Sequence, residues 1–164
     1  MQQSGIGPGD LVLDIGAGDG ALTGPLLDAG ARVVAFELDP HRAATLRRRF
    51  AGPHLTVVQA DVADLRLPRR PFRAVANPPF GLTTAILRRL LHPASRLERA
   101  DLILPEWAAN RWAAGRGAGG AASRATFRLR TGDRVPAAAF RPHPPAAARV
   151  LVASRASGRK VTKR

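Results

Sequence analysis

Asp10-Leu-Val-Leu-Asp-Ile-Gly-Ala-Gly-Asp-Gly20 is an apolar strand that runs straight into a glycine-rich turn. A continuous apolar run broken by a single acid, Asp14, is the pattern of a parallel strand buried on both faces. Glycines at 16, 18 and 20 let the backbone approach a ligand closely, and Ala21 to Ala29 reads as a helix stopped by Gly30. A second strand, Ala31 to Phe36, then ends in Glu37-Leu-Asp-Pro40. Strand, turn, helix and strand make the front half of a nucleotide-binding βαβ unit, which predicts an α/β fold. Glu37 lies 21 residues beyond Gly16, close to the ~20-residue offset at which an acid reaches a ribose hydroxyl pair.

A nicotinamide-binding domain is the natural rival, and two details count against it. The glycines run G-x-G-x-G, whereas a pyrophosphate is cradled by G-x-G-x-x-G. Asp14 also puts a negative charge where phosphates would lie. An acid there suits a ligand with an ammonium or sulfonium group and a ribose but no phosphate, and S-adenosylmethionine has that chemistry.

Further along, Pro40 to Phe50 reads as a helix with proline in its first turn and Arg47-Arg-Arg49 at its C-terminal end, where the dipole favours cations. His54 to Ala60 is a third strand, closed by Asp61-Val62. Asp61 reads equally as a turn residue or as an acceptor for an adenine amino group. It gains weight because Asp14, Glu37 and Asp61 follow successive strands, at the edge where α/β folds bind ligands. A loop from Leu65, rich in proline and arginine, leads into the short apolar run Phe72 to Ala76.

Asn77-Pro-Pro-Phe80 ends that run. Two prolines cannot donate to a ladder and hold φ near −65°, so the strand must stop. The stiff corner offers the Asn77 side-chain oxygen and the Pro78 carbonyl as two acceptors for an amine, with Phe80 to stack on the ring that carries it. The same residues also read as a plain strand-to-helix turn with a buried phenylalanine. After them come a helix over Leu82 to Leu91, a strand over Ala100 to Leu104, and a helix over Pro105 to Ala114 carrying Trp107 and Trp112. Gly115 to Ala122 predicts a mobile loop, Thr126 to Arg130 a sixth strand, and Arg149 to Ala153 the last.

The chain carries 26 basic residues, nearly all arginine, against 12 acidic ones, a net charge of +14. That excess favours a polyanion, nucleic acid first. A GC-rich genome can explain arginine in place of lysine but not the twofold excess over acids. The chain has no cysteine and four scattered histidines, so no metal site is expected. It shows no leader-like N-terminus and no apolar run near ~18 residues, so the reading is a cytoplasmic, monomeric, non-membrane protein. One domain is expected over residues 1–153, with a basic, disordered tail over 154–164.

Asp14-Ile-Gly-Ala-Gly-Asp-Gly20, Glu37-Leu-Asp39, Asp61-Val62, Asn77-Pro-Pro-Phe80 and Phe140-x-Pro-x-Pro144 resemble, in that order, the Erm and KsgA methyltransferases acting on adenine N6 of ribosomal RNA. Asn77-Pro-Pro-Phe-Gly-Leu-Thr-Thr84 and the arginine- and alanine-rich setting are most similar to actinobacterial Erm proteins, which confer macrolide resistance. The resemblance implies a Rossmann-like class I fold with a mostly parallel seven-stranded sheet and a reversed last strand. It also implies S-adenosylmethionine as cofactor and 23S ribosomal RNA as partner. On its motifs, Asp14, Gly16, Gly18, Gly20, Glu37, Leu38, Asp61, Val62 and Asn77 contact the cofactor. Asn77, Pro78, Phe80 and Phe140 hold the target adenine, sandwiched between the two phenylalanines. Family members usually carry an N-terminal lid segment and a C-terminal helical domain, and this chain reads as a short form without either. The same corner also occurs in DNA adenine and protein-glutamine methylases, and a non-catalytic RNA-binding relative is a further alternative.

Overall fold

The computed structural model describes residues 5–117, 121–139 and 147–156. Its centre is one seven-stranded sheet in the order β3-β2-β1-β4-β5-β7-β6. The strands are β1 (Leu11–Ile15), β2 (Arg32–Glu37), β3 (Leu55–Gln59), β4 (Phe72–Ala76), β5 (Leu97–Pro105), β6 (Phe127–Val135) and β7 (Ala148–Arg155). Pairing is parallel from β3 across to β5, and β7 lies antiparallel to both β5 and β6. The reversed last strand expected from the resemblance is therefore present.

Period-two alternation along the strands sorts the core into two layers. Val12, Val33, Ala35 and Val75 point to one face, where they pack with Leu26 of α1 (Thr23–Asp28) and Leu46 of α2 (Pro40–Arg49). Leu13, Ile15, Ala74 and Ala76 point to the other, against Ile86, Leu87 and Leu90 of α3 (Thr83–Leu90) and Trp112 of α4 (Glu106–Ala113). Both layers are built of buried apolar side chains, and each fully buried Leu or Ile contributes about 1.5–3 kcal/mol. The amphipathic reading of α3 holds, with Arg88 and Arg89 exposed on the far side.

Four expectations shift. β5 begins at Leu97 rather than Ala100, because Phe72 pairs with Leu97 and Arg99 with Ser154. Arg99, polar by sequence, is steadied by Asp101 two residues on and on the same face, at 2.8 Å. β7 runs two residues past Ala153, so Ser154 and Arg155 belong to the sheet rather than to a tail. The Arg155 guanidinium donates to the Ser95 and Leu97 carbonyls and lies 4.8 Å over the Phe127 ring. Finally, Ala121 and Ala122, expected in a glycine-rich loop, open α5 (Ala121–Thr126), and β6 extends to Val135. Residues 157–164 lie outside the described residues.

Candidate cofactor and acceptor site

Because β3, β2, β1 and β4 are neighbours in that order, the loops after them stand in a row at one sheet edge. Asp61 follows β3, Glu37 and Leu38 end β2, Asp14 and the glycine turn end β1, and Asn77 follows β4. Three interstrand gaps of ~4.8 Å make the row about 14 Å long, the scale of an extended nucleoside with a tail.

The glycine turn begins at Gly16 with φ of +77°, and Gly18 (+56°) and Gly20 (+87°) repeat the left-handed conformation. The three glycines differ in what surrounds them. A Cβ on Gly16 would lie 3.9 Å from the Asn77 carbonyl oxygen, so the turn and the acceptor corner are separated by little more than one methyl group. A Cβ on Gly18 would meet nothing within 4 Å, leaving open space at the ligand side. One on Gly20 would be driven to 2.4 Å from the Phe50 ring, so this glycine is required by packing against α2.

Four N–H groups of the turn are already engaged. Gly16 and Ala17 both donate to the Phe36 carbonyl, Gly20 donates to Ala17, and Gly18 donates to Glu37 Oε2 at 2.7 Å. Glu37 accepts a second bond from the Asp39 amide, 2.9 Å from Oε1. Each carboxylate oxygen keeps a further lone pair for a ribose hydroxyl. Beside it Leu38 is 60% exposed, an apolar platform at the edge.

Asp14 is completely buried. Thr23, at the start of α1, donates to its Oδ2 at 2.7 Å, while Oδ1 has no partner. Burial pushes the Asp14 carboxyl up to about 6, with the nearby Glu37 charge adding and the Thr23 bond opposing. An unpaired buried carboxylate oxygen costs on the order of 1–3 kcal/mol or more, a standing demand for a donor. A cationic, donor-bearing ligand meets that demand, so the residues present fit S-adenosylmethionine. Asp61, exposed, caps a 3-10 turn (Val62–Asp64) by accepting from Ala63 at 2.8 Å, and Val62 is half-buried against the core.

At the corner, Pro78 is buried and Asn77 exposed. The 3-10 turn Phe80–Leu82 is closed by the Leu82 amide donating to Pro79 at 2.9 Å, one residue past the Pro78 carbonyl. Among the described residues the Asn77 amide makes no hydrogen bond. The Phe80 side chain and all of Phe140 lie outside the described residues. Sequence reasoning missed Thr23, whose partner is nine residues away, and Glu106 at the start of α4. The Glu106 carboxylate is engaged by Arg134 and Arg149 at 2.8 and 2.9 Å, which hold it below the usual carboxylate range, so it is no free acid at this edge.

Residues 1–153 match the family model described as ribosomal RNA adenine dimethylase. An rRNA adenine N-6-methyltransferase of Corynebacterium diphtheriae is 37% identical over 92% of this chain and 60% of its own length. The mycinamicin-resistance protein MyrB of Micromonospora griseorubida is 38% identical over 89% of this chain and 47% of its own. The crystal structure of the 23S rRNA methyltransferase ErmE superposes with a TM-score of 0.84 at 28% identity, covering 95% of this chain and 65% of that one. The chain thus spans roughly half to two-thirds of the length of the proteins it matches.

Proposed function

The chain belongs to the ribosomal RNA adenine dimethylase family, and on that premise we propose that it transfers a methyl group from S-adenosylmethionine to N6 of one adenine in 23S ribosomal RNA, with macrolide-type resistance as the consequence. The observation that carries the reading is the adjacency of the two half-sites: β1 and β4 pair side by side up to Ile15 and Ala76, so the glycine turn and the Asn77-Pro78 corner leave the sheet next to each other.

When bound, S-adenosylmethionine supplies an electrophilic methyl group. Asp14 would offer the buried negative oxygen to its cationic end, Glu37 would accept from the ribose hydroxyls, Leu38 and Val62 would supply apolar contacts to the adenine, and Asp61 would accept a hydrogen bond from its amino group. On the acceptor side, the exocyclic amine of the target adenine is a poor nucleophile because its lone pair is delocalised into the ring. The Asn77 oxygen and the Pro78 carbonyl each accept one of its N–H bonds, which favours a tetrahedral nitrogen whose lone pair is free to attack. Phe80 stacks on the flipped base, contributing ~1–3 kcal/mol toward the few kcal/mol needed to unstack it. No strong base is required, since the methylated ammonium sheds its proton readily. Most of the acceleration comes from holding amine and methyl in line, worth up to ~7–11 kcal/mol in favourable cases.

ErmE and MyrB support the 23S target and the resistance role. The net charge of +14 supports a polyanionic substrate. Primer extension across both large- and small-subunit ribosomal RNA, after incubation with protein and S-adenosylmethionine, tests the proposal. The expected result is a stop at a single 23S adenine. Modification confined to small-subunit RNA overturns the target, and no modified adenine in either overturns the activity.

A further inference from the structure

Beside the acceptor corner a second cavity, of about 280 Å³, opens between the start of α3 and α4, lined by Thr83, Trp107, Arg111, Trp112 and Arg116. It shares the site's edge of the sheet. Thr83 directly follows the 3-10 turn that continues from Asn77, and α4 starts where β5, the parallel neighbour of β4, ends.

Three features of this cavity have no use within the fold. Trp107 is 66% exposed, whereas Trp112 on the same helix is 5% exposed and packed in the core. An exposed indole forgoes the burial that makes tryptophan stabilising, so its face is kept available. Arg111, four residues on and therefore on the same helical face, and Arg116 are both exposed. Neither is in an ion pair among the described residues, and no acid lines the cavity. Glu106, the nearest acid in sequence, is already committed to Arg134 and Arg149. Lastly, the Thr83 hydroxyl is buried without a hydrogen-bond partner, a cost that a ligand's polar edge would recover.

An open aromatic face, two cations in no ion pair among the described residues and a buried hydroxyl without a partner complement a nucleotide: a flat base, phosphates, and a base edge or 2′-hydroxyl. We propose that this cavity is a subsite for the unpaired RNA nucleotide next to the target adenine, with its base stacked on Trp107, its phosphates at Arg111 and Arg116, and its polar edge at Thr83. The proposal rests on the RNA adenine reading above. Stacking tolerates any base, so the subsite fixes the register of the strand without reading sequence.

The chain has two tryptophans, only one of them exposed, so intrinsic fluorescence reports the subsite directly. Titrating the full chain with an RNA hairpin that carries the target adenine and an unpaired neighbour should quench the Trp107 emission. Trp107→Phe, which retains only the signal of Trp112 at the floor of the cavity, should show much weaker quenching and keep KM within about threefold, because phenylalanine also stacks. Trp107→Ala should raise KM for the hairpin about 10- to 100-fold with kcat nearly unchanged. Replacing the neighbouring nucleotide by an abasic residue should cost the wild type the same factor and Trp107→Ala almost nothing, a non-additivity that a merely structural tryptophan would not produce. Additive losses, an unchanged KM in Trp107→Ala, or Trp107 emission unmoved by saturating hairpin each overturn the subsite. Quenching without methyl transfer supports the subsite and removes the catalytic reading instead.

Discussion

Replacing Glu37 by alanine removes two hydrogen bonds that the carboxylate accepts, from Gly18 at 2.7 Å and from Asp39 at 2.9 Å. Bonds to a charged group contribute ~1.5–3 kcal/mol each. Both donors sit at the partly wet edge, where water replaces some of that, so the lower end applies and the fold loses about 3 kcal/mol. For a chain of this size each kcal/mol moves the melting midpoint ~2–4 °C, so Glu37→Ala should melt about 6–12 °C below the wild type. The ligand effect is separate. At one hundred times its Kd, S-adenosylmethionine stabilises the wild type by ~2.7 kcal/mol. Loss of the ribose contacts, again ~1.5–3 kcal/mol, leaves the variant at the same concentration with only ~0.3–1.3 kcal/mol of ligand stabilisation. Thermal melts of both proteins with and without S-adenosylmethionine measure the two terms independently. Glu37→Gln should fall between, since its amide accepts one N–H but turns an NH₂ toward the other. A Glu37→Ala protein with the wild-type midpoint refutes the tether to the glycine turn. An undiminished ligand shift refutes the ribose role.

Asp14 titrates near 6 in the folded chain against 3.8 unfolded, so the fold holds this proton more tightly. Its stabilising contribution is complete below about pH 3.8 and is lost as pH rises through about 6, on the order of 3 kcal/mol in all. Asp14→Asn should flatten that fall, and a wild-type stability profile already flat between about pH 4 and 6 would count against the buried carboxylate. Affinity for S-adenosylmethionine, measured by calorimetry, should rise through the same window in the wild type but not in Asp14→Asn. Asn77→Ala should abolish single-turnover methylation of an RNA hairpin while leaving most cofactor binding intact, and Asn77→Asp should retain low activity; near wild-type rates in Asn77→Ala would put the acceptor corner elsewhere. Gly18→Ala should cost only the ~1–2 kcal/mol of a left-handed alanine, whereas Gly20→Ala must also displace Phe50 and Leu46 and should cost more in chemical denaturation. Equal losses would remove the packing role of Gly20. RNA affinity should fall steeply with salt, by ~0.7 in log K per phosphate contact per tenfold rise in salt; a flat filter-binding profile would show that the arginines do not hold the RNA.

Much of this site is written locally in the chain. Apolar runs with the periods of strand and helix, glycines at Gly16 and Gly18 where φ must be positive, and two prolines after Ala76 each constrain their own neighbourhood. They therefore reveal the strand ends and the residues carried there without knowledge of the whole. The sheet order that sets Asp61, Glu37, Asp14 and Asn77 in one row follows from the crossovers only in outline. The reversed β7 followed from resemblance rather than from any period in Ala148–Arg155. What tertiary structure alone decided is pairing between residues far apart in the chain. It gave Asp14 one partner in Thr23 and left its other oxygen empty, tied Glu37 to Gly18, and drew the polar segment Leu97–Arg99 into β5 through contacts with β4 and β7. It also separated two tryptophans that read alike on one helix, burying Trp112 and leaving Trp107 in solvent. Burial and electrostatics depend on which surfaces meet, and a one-dimensional pattern holds that information only for neighbours within a turn or two.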